Sequence, residues 1–185
     1  MTVGAQPAYT GPMTGMLSPV LKRWPLAAAI VSAAMLAIAH AFQTFGHLAP
    51  CELCLKQRTV YWVALALGLI GAAAAPLLRK PWIPALACAL LALVFLFGAG
   101  LAAYHAGVEW KWWPGPTTCT GAGGARAGTA ALLELLHGGK IRAPQCDVAA
   151  WRMLGLSMAG WNALASLGFA AISALAAARR PEPSA

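Results

Sequence analysis

Four long runs of apolar residues dominate the chain, and short polar or turn-rich segments separate them. The runs cover residues 26–45, 59–78, 83–104 and 157–178, and none of them contains Asp, Glu, Lys or Arg. Each has about the 20 residues that an α-helix needs to cross the hydrocarbon core of a bilayer. The pattern predicts an all-α membrane protein, a four-transmembrane-helix bundle.

The composition supports one integral membrane domain over residues 22–180. Hydrophobic residues make up 60% of the chain and charged residues 10%, a balance that is too apolar for an ordinary soluble domain. Residues 1–21 are rich in Gly, Pro, Thr and Ser and have no apolar core of their own. We expect them to form a disordered cytoplasmic tail.

The connections between the runs differ in length and charge, and these differences predict the orientation of the chain. The connections comprise residues 46–58, 79–82 and 105–156. Basic pairs flank the runs on one side, at Lys22 and Arg23, Arg79 and Lys80, and Arg179 and Arg180. Cytoplasmic segments of membrane proteins carry such clusters, so both termini and the short connection are predicted to be cytoplasmic. The two longer connections then face the opposite compartment, where we expect the functional residues.

The net charge of +8 could by itself indicate a nucleic-acid partner. However, six of the 13 Lys and Arg residues belong to the three basic pairs that the topology already explains. The remaining basic residues are dispersed along the chain instead of forming a patch. We therefore expect no nucleic-acid partner.

The first outer connection carries a C-x-x-C motif, Cys51 to Cys54, at a predicted helix start. Pro50 precedes it, as is common where a helix begins. In a helix, Cys51, Cys54 and Arg58 share one face, with the arginine about one turn below the thiols. The helix dipole and the guanidinium would both lower the pKa of the thiols, which favours rapid disulfide exchange. Alone, the motif also fits a zinc site, an iron–sulfur site or a structural disulfide, and a lone arginine there fits a helix-end anchor.

The second outer connection carries two further cysteines in polar, turn-rich segments, Cys119 and Cys146. A bond between them would close a loop of 28 residues, counting both ends, and that closure would stabilise the fold by about 3 to 4 kcal/mol. A structural disulfide and a redox-active pair both fit this spacing. Between them, residues 129–137 precede two glycines and are predicted to form a short interfacial helix. Cys88, inside the third run, fits a small buried apolar residue.

Several segments carry a resemblance when they are taken together. In chain order they are Pro50 to Cys54 with Arg58, Cys119 after Pro116, Cys146, and residues 151–158. With these segments the chain resembles the disulfide bond formation protein B (DsbB) family of bacterial inner-membrane proteins, over nearly all of residues 24–178. Four spans with this order of cysteines make the resemblance specific. It implies a multi-pass protein of the inner membrane whose cysteine loops are periplasmic.

The resemblance also implies a thiol:quinone oxidoreductase that supports protein disulfide bond formation. Cys119 and Cys146 would take electrons from a soluble periplasmic thioredoxin-fold oxidase similar to DsbA, and Cys119 would form the mixed disulfide with it. Cys51 would exchange with the outer pair, and Cys54 would donate to a membrane quinone, either ubiquinone or a menaquinone. Arg58 would stabilise the developing anion, because a charge in a dry site acts strongly.

His105, at the outer end of the third run, is predicted to lie at the same membrane depth as Arg58. It is a candidate second quinone contact, although an interfacial histidine without that role also fits. Weaker candidates are Glu109, His40 and His47. The chain departs from better-known members of the family at Gln57 and in the tryptophan-rich residues 110–113. These differences leave open how the quinone is contacted and which partner is chosen.

Two other interpretations stay open. A membrane scaffold could use the four cysteines as a structural zinc site and present its outer loop to a partner. Against it, 64 residues that include two spans separate the pairs, and an oxidising compartment disfavours free thiolates. An enzyme that reduces vitamin K-type quinones while it oxidises thiols would use similar chemistry, but such enzymes arrange their cysteines differently along the chain.

Overall fold

Four helices form the body of the protein. The computed structural model describes residues 23–78, 80, 82–116 and 146–178. The helices are α1 (Trp24–Thr44), α2 (Glu52–Leu78), α3 (Trp82–Glu109) and α4 (Met158–Ala178). All four are long and apolar enough to cross a membrane, which confirms the predicted four-span, all-α fold. The predicted tail over residues 1–21 and the predicted interfacial helix over residues 129–137 lie outside the described residues.

The helices pack as antiparallel neighbours, with α3 against α4 and α2 against both α1 and α3. Aromatic rings fill the centre, where Phe95 of α3 lies 6.3 Å from Tyr61 of α2 and 5.4 Å from Phe169 of α4 between ring centroids. Small residues let α1 and α2 approach closely. A Cβ built on Gly68 would lie 2.6 Å from the backbone oxygen of Pro25. Close packing of this kind drives helix association in membranes, where lipid is as apolar as the side chains.

Two helices extend beyond the predicted spans, and both extensions lie at the cysteine end of the bundle. Helix α2 begins at Glu52, near the start that the C-x-x-C motif after Pro50 predicts and ahead of the apolar run at residue 59, whereas α3 continues to Glu109 and not to residue 104. The predicted outer loop therefore begins five residues later than expected. The hydrophobic run marks only the part of a helix that lies in lipid, whereas tertiary contacts bury the polar turns beyond it. His105 and Glu109, which are 4% and 8% exposed, lie on such a turn.

Helix α3 ends in a Schellman motif. The backbone N–H of Trp112 donates to the Gly107 carbonyl at 2.9 Å, and that of Lys111 donates to the Val108 carbonyl at 3.0 Å. Lys111 adopts the left-handed conformation, with φ of 63°, at the position where glycine is usual. Its ammonium group in turn contacts Asp147, so the end of α3 is linked to the segment that carries Cys146.

A short β-hairpin leads into α4. Strands β1 (Arg152–Met153) and β2 (Leu156–Ser157) pair antiparallel. Leu154 and Gly155 connect them with φ values of 52° and 82°, as a two-residue type I′ turn requires. The Ser157 hydroxyl oxygen then accepts the Gly160 N–H at 3.2 Å and caps the start of α4. The apolar pattern did not predict this hairpin.

Candidate redox site at one end of the bundle

The candidate redox residues collect at one end of the bundle. Because the helices alternate in direction, the ends of α1 and α3 meet the starts of α2 and α4 there. A small buried cluster contains Cys51, Leu53, Val108 and Cys146, and the partly buried Cys54 packs against it. The first cysteine pair and the outer connection therefore meet in one place.

The C-x-x-C pair lies at the first turn of α2. Cys51 acts as the N-cap, since its carbonyl accepts the Leu55 N–H at 3.1 Å and its sulfur accepts the Cys54 N–H at 3.3 Å. The two sulfur atoms are 2.8 Å apart, and the Cys51 thiol donates to Cys54. Both cysteines are free. The pair is therefore a dithiol whose sulfur atoms are within easy reach of a disulfide bond.

The two thiols differ, and this corrects the expectation that the site lowers the pKa of both. The hydrogen bond that Cys51 donates to Cys54, together with burial, raises the pKa of the Cys51 thiol. The same hydrogen bond stabilises negative charge on its acceptor, the Cys54 sulfur. Cys51 is 6% exposed, whereas Cys54 is only partly buried. Thiolate character and access are thus concentrated on Cys54.

A chain of hydrogen bonds runs from the bundle core to this pair. Tyr61 Oη donates to Asn162 Oδ1 at 2.5 Å, and Asn162 Nδ2 donates to Gln57 Oε1 at 2.5 Å. Gln57 Nε2 lies 2.8 Å from His105 Nδ1. The chain joins α2, α3 and α4, and Gln57 and His105 are both buried. Each buried amide therefore has the partners that its desolvation requires.

The direction of this chain assigns the tautomer of His105. Because the Gln57 oxygen already accepts a hydrogen bond, its NH₂ group faces the imidazole and Nδ1 must accept. A neutral His105 then carries its proton on Nε2, which lies 3.7 Å from Cys51 Sγ and 3.8 Å from Glu109 Oε1. All donors along the chain point the same way, from the core through His105 and Cys51, and Cys54 is the final acceptor.

Arg58 lies one turn below Cys54, and its guanidinium also reaches α1. Nη1 donates to Gln43 Oε1 at 2.6 Å, and Nη2 donates to the Ala39 carbonyl at 3.0 Å. Its positive charge acts on Cys54, and the carboxylate of Glu109 acts on the same sulfur with the opposite sign. Arg58 therefore joins α1 to α2 and contributes a cation near the accessible thiol.

The outer connection reaches the site at Cys146. This residue is fully buried and disulfide-bonded, and its backbone is within hydrogen-bonding range of His105. Asp147 binds Lys111, and this ion pair lowers the pKa of the Asp147 carboxyl. Cys119, predicted to act with Cys146, lies outside the described residues.

The other candidates lie apart from the pair. His40 Nδ1 bonds the Leu36 carbonyl one turn back at 2.8 Å, and His47 is exposed. Cys88 is buried in the core cluster, as expected of a small apolar residue. Sequence reasoning did not predict that Gln57 and Asn162 bond to each other and to His105. A signal was present for Asn162, since an amide side chain is rare within an otherwise apolar run.

Comparison with known proteins gives the family. The model of the family described as disulfide bond formation protein DsbB matches residues 21–176. This chain belongs to the DsbB family. A relative named "Disulfide bond formation protein B", from Dechloromonas aromatica (strain RCB), is 30% identical over 153 residues, which cover 79% of this chain and 86% of the relative. The predicted resemblance is confirmed, and this DsbB-family chain is a multi-pass membrane oxidoreductase of disulfide bond formation.

Proposed function

We propose that this protein is a thiol:quinone oxidoreductase that reoxidises a soluble thioredoxin-fold oxidase similar to DsbA and passes the electrons to membrane quinone. The observation that carries the proposal is a free dithiol, Cys51 and Cys54, which lies at the end of a one-way chain of hydrogen-bond donors and beside the disulfide-bonded Cys146. The basic pairs favour a periplasmic location for this end of the bundle and a cytoplasmic location for both termini.

Electrons enter through the outer cysteines. The dithiol of the partner reduces a disulfide between Cys119 and Cys146 and becomes a disulfide itself. The resulting outer dithiol then reduces a Cys51–Cys54 disulfide, so that two electrons and two protons move at each exchange. The packing of Cys146 and Cys51 in one buried cluster supports this second step, because thiol–disulfide exchange requires direct contact between sulfur atoms.

Electrons leave through Cys54. It is the accessible thiol of the pair, it accepts the hydrogen bond from Cys51, and the Arg58 charge acts on it. A quinone that binds here supplies an acceptor for two electrons and two protons. Arg58 is suited to orient it, since two of the five N–H donors of its guanidinium bind α1 and the others can bind a quinone oxygen. His105 donates toward Cys51, and its direct contact with a quinone stays a prediction.

The zinc-scaffold interpretation receives no support from this geometry. It requires four free thiolates at one tetrahedral site, whereas Cys146 is held in a disulfide.

The test is quinone reduction by the full-length protein in detergent, followed by the loss of quinone absorbance, with a reduced thioredoxin-fold oxidase as the electron donor. Cys54→Ala and Cys119→Ala should each abolish turnover. Cys51→Ala should abolish quinone reduction but leave the outer disulfide able to form. Cys88→Ala, which changes a thiol in the core cluster, serves as the control and should keep turnover. Turnover that persists without Cys54 or Cys119 would refute the proposal.

A further inference from the structure

Three potential metal ligands, two of them the sulfur atoms of the cysteine pair, lie together at this end of the bundle, and a carboxylate lies next to the third. Cys51 Sγ, Cys54 Sγ and a ring nitrogen of His105 all lie within 4.8 Å of one another. The Glu109 carboxylate lies next to this group, with Oε1 at 3.8 Å from His105 Nε2, and is a candidate fourth ligand. Two thiolates, an imidazole and a carboxylate are the ligand types that zinc takes in proteins.

The Glu109 carboxylate is the independent indication of a ligand. Glu109 is 8% exposed, and its Oε2 is buried without a hydrogen-bond partner among the described residues. Arg152 and Ser157 act on the carboxylate from the hairpin, yet neither completes the bonding of Oε2. A buried carboxylate oxygen without a partner is costly. A cation bound by this carboxylate would remove that cost.

The distances fit a tetrahedral ion with one adjustment. Tetrahedral zinc places sulfur and nitrogen ligands about 3.6 Å apart and two sulfur ligands about 3.8 Å apart. The Cys51 Sγ to His105 Nε2 distance is 3.7 Å. The two sulfur atoms are 2.8 Å apart, so they must separate by about 1 Å to share the ion. Rotation of the partly exposed Cys54 side chain can supply that movement.

Metal binding also has to reverse the direction of the hydrogen bonds that run from Tyr61 to His105. His105 can ligate through Nε2 only if its proton moves to Nδ1, which then needs an acceptor. Rotation of the Gln57 and Asn162 amides provides one, because Gln57 Oε1 then faces Nδ1 and Asn162 Nδ2 faces the Tyr61 oxygen. The chain can end at Ser166, whose hydroxyl lies 3.0 Å from Tyr61 Oη and can accept from it. The hydrogen bonds between Ser166 and His105 are all kept in the reversal, and bonds to the ion replace the Nε2–H contact with Cys51 and the hydrogen bond between the two cysteines.

We infer that the reduced Cys51–Cys54 pair, with His105 and Glu109, binds a thiophilic divalent cation such as Zn²⁺. Binding joins both sulfur atoms to the ion and releases two thiol protons to solvent, with no change of oxidation state. The pair cannot form its disulfide while it is metal-bound. The ion therefore inhibits electron transfer, and this consequence, unlike the binding itself, rests on the proposed function.

The test uses Co²⁺ as a spectroscopic probe on the full-length protein in detergent, reduced and kept anaerobic. Charge-transfer and d–d absorption of tetrahedral Co²⁺–thiolate should saturate at one ion per chain, vanish when Zn²⁺ is added, and be absent after oxidation of the pair. Glu109→Gln and His105→Gln should each weaken binding by about tenfold or more. Glu52→Gln, which removes a partly exposed carboxylate paired with Lys56 one turn along α2, is the matched control and should bind as the unmodified protein does.

A second variant tests the chain reversal. Gln57→Glu gives His105 Nδ1–H a permanent acceptor and should tighten Co²⁺ binding, as carboxylate–histidine–metal arrangements do. If Glu109→Gln and His105→Gln bind Co²⁺ as tightly as the Glu52→Gln control does, the inference is overturned. Absorption that survives His105→Gln but is lost in Cys146→Ser would overturn it in favour of a four-cysteine site.

Turnover is measured separately from binding. Zn²⁺ should block quinone reduction, and a chelator should restore it. Metal-free turnover without the Co²⁺ spectrum would refute the metal site and leave the proposed function intact. The Co²⁺ spectrum without metal-free turnover would refute the proposed function and leave the site intact.

Discussion

Replacement of Gln57 by Leu tests whether the hydrogen-bond chain controls the redox pair. The substitution introduces an apolar side chain of similar volume and removes both the oxygen and the nitrogen of the side-chain amide. His105 Nδ1 loses the partner that lies 2.8 Å away, and Asn162 Nδ2 loses its acceptor. Because His105 is only 4% exposed, water cannot replace the lost partner at low cost.

The expected size of the effect follows from that burial. A buried polar group left without its partner costs about 1 to 3 kcal/mol. If the imidazole orientation matters for turnover, kcat/KM should fall by a factor of about 5 to 150. The proton of His105 is then no longer confined to Nε2, so its ¹⁵N ring signals should shift from the Nε2–H pattern towards a mixture of tautomers.

A double-mutant cycle isolates the mechanism. Gln57→Leu, His105→Ala and the double variant are compared by kcat/KM for quinone reduction. If Gln57 acts through His105, its substitution should have little further effect once the imidazole is gone, with a coupling energy of about 1 to 2 kcal/mol. Ser173→Ala removes the hydrogen bond that Trp24 of α1 donates to Ser173, in the half of α4 away from the cysteine pair. Its effect should be additive with that of His105→Ala within about 0.5 kcal/mol. Additive effects of Gln57→Leu and His105→Ala on kcat/KM would refute the conclusion that Gln57 acts through His105.

Three further predictions concern the thiols, the helix packing and the outer connection. Cys54→Ala removes the acceptor that raises the pKa of Cys51, so Cys51 should be alkylated faster at a fixed pH, as measured by peptide mapping. An unchanged rate would contradict the assignment of Cys51 as the hydrogen-bond donor. Gly68→Ala brings a Cβ to 2.6 Å from a backbone oxygen of α1 and should destabilise the protein by about 1 to 3 kcal/mol in thermal unfolding. Gly100→Ala, whose Cβ would have nothing within 4 Å, is the control and should leave the stability unchanged. Since its lysine partner lowers the pKa of Asp147, that ion pair should persist above the ordinary carboxyl pKa and be lost as pH falls through the lowered value. Protection of the amides of residues 146–150 from exchange, relative to the intrinsic rate at each pH, should then fall in acid. Asp147→Asn should show the lower protection already at neutral pH and no further loss in acid.

The place of the first cysteine pair at a helix start was predictable from the sequence because the motif is local. A C-x-x-C pair after Pro50 predicts a helix start, and Arg58 follows on the same face by spacing alone. Residues 151–158 supported the family resemblance, although the hairpin they form did not follow from the apolar pattern. Cys146 is disulfide-bonded, and its predicted pairing with Cys119 stays a prediction because Cys119 lies outside the described residues.

The difference between the two thiols was not predictable in this way. The helix dipole and Arg58 act on both sulfur atoms with the same sign, so local reasoning lowers the pKa of each. The tertiary structure instead buries Cys51 and makes it the donor to Cys54. Likewise, His105 and Gln57 are 48 residues apart in the chain, and only the packing of α2 against α3 brings them to 2.8 Å.

The sequence by itself determined the four spans and the place of the first cysteine pair at a helix start, because hydrophobic length and a proline before a C-x-x-C motif are local properties of the chain. The orientation that follows from charge asymmetry stays a prediction. The tertiary structure alone decided which polar residues of separate helices share hydrogen bonds. It joined Tyr61, Asn162, Gln57 and His105 into one directed chain, and it placed Glu109 against the same imidazole. The physical reason is that buried polar groups must find partners, and the helices that supply those partners are set by packing, which no stretch of sequence specifies alone.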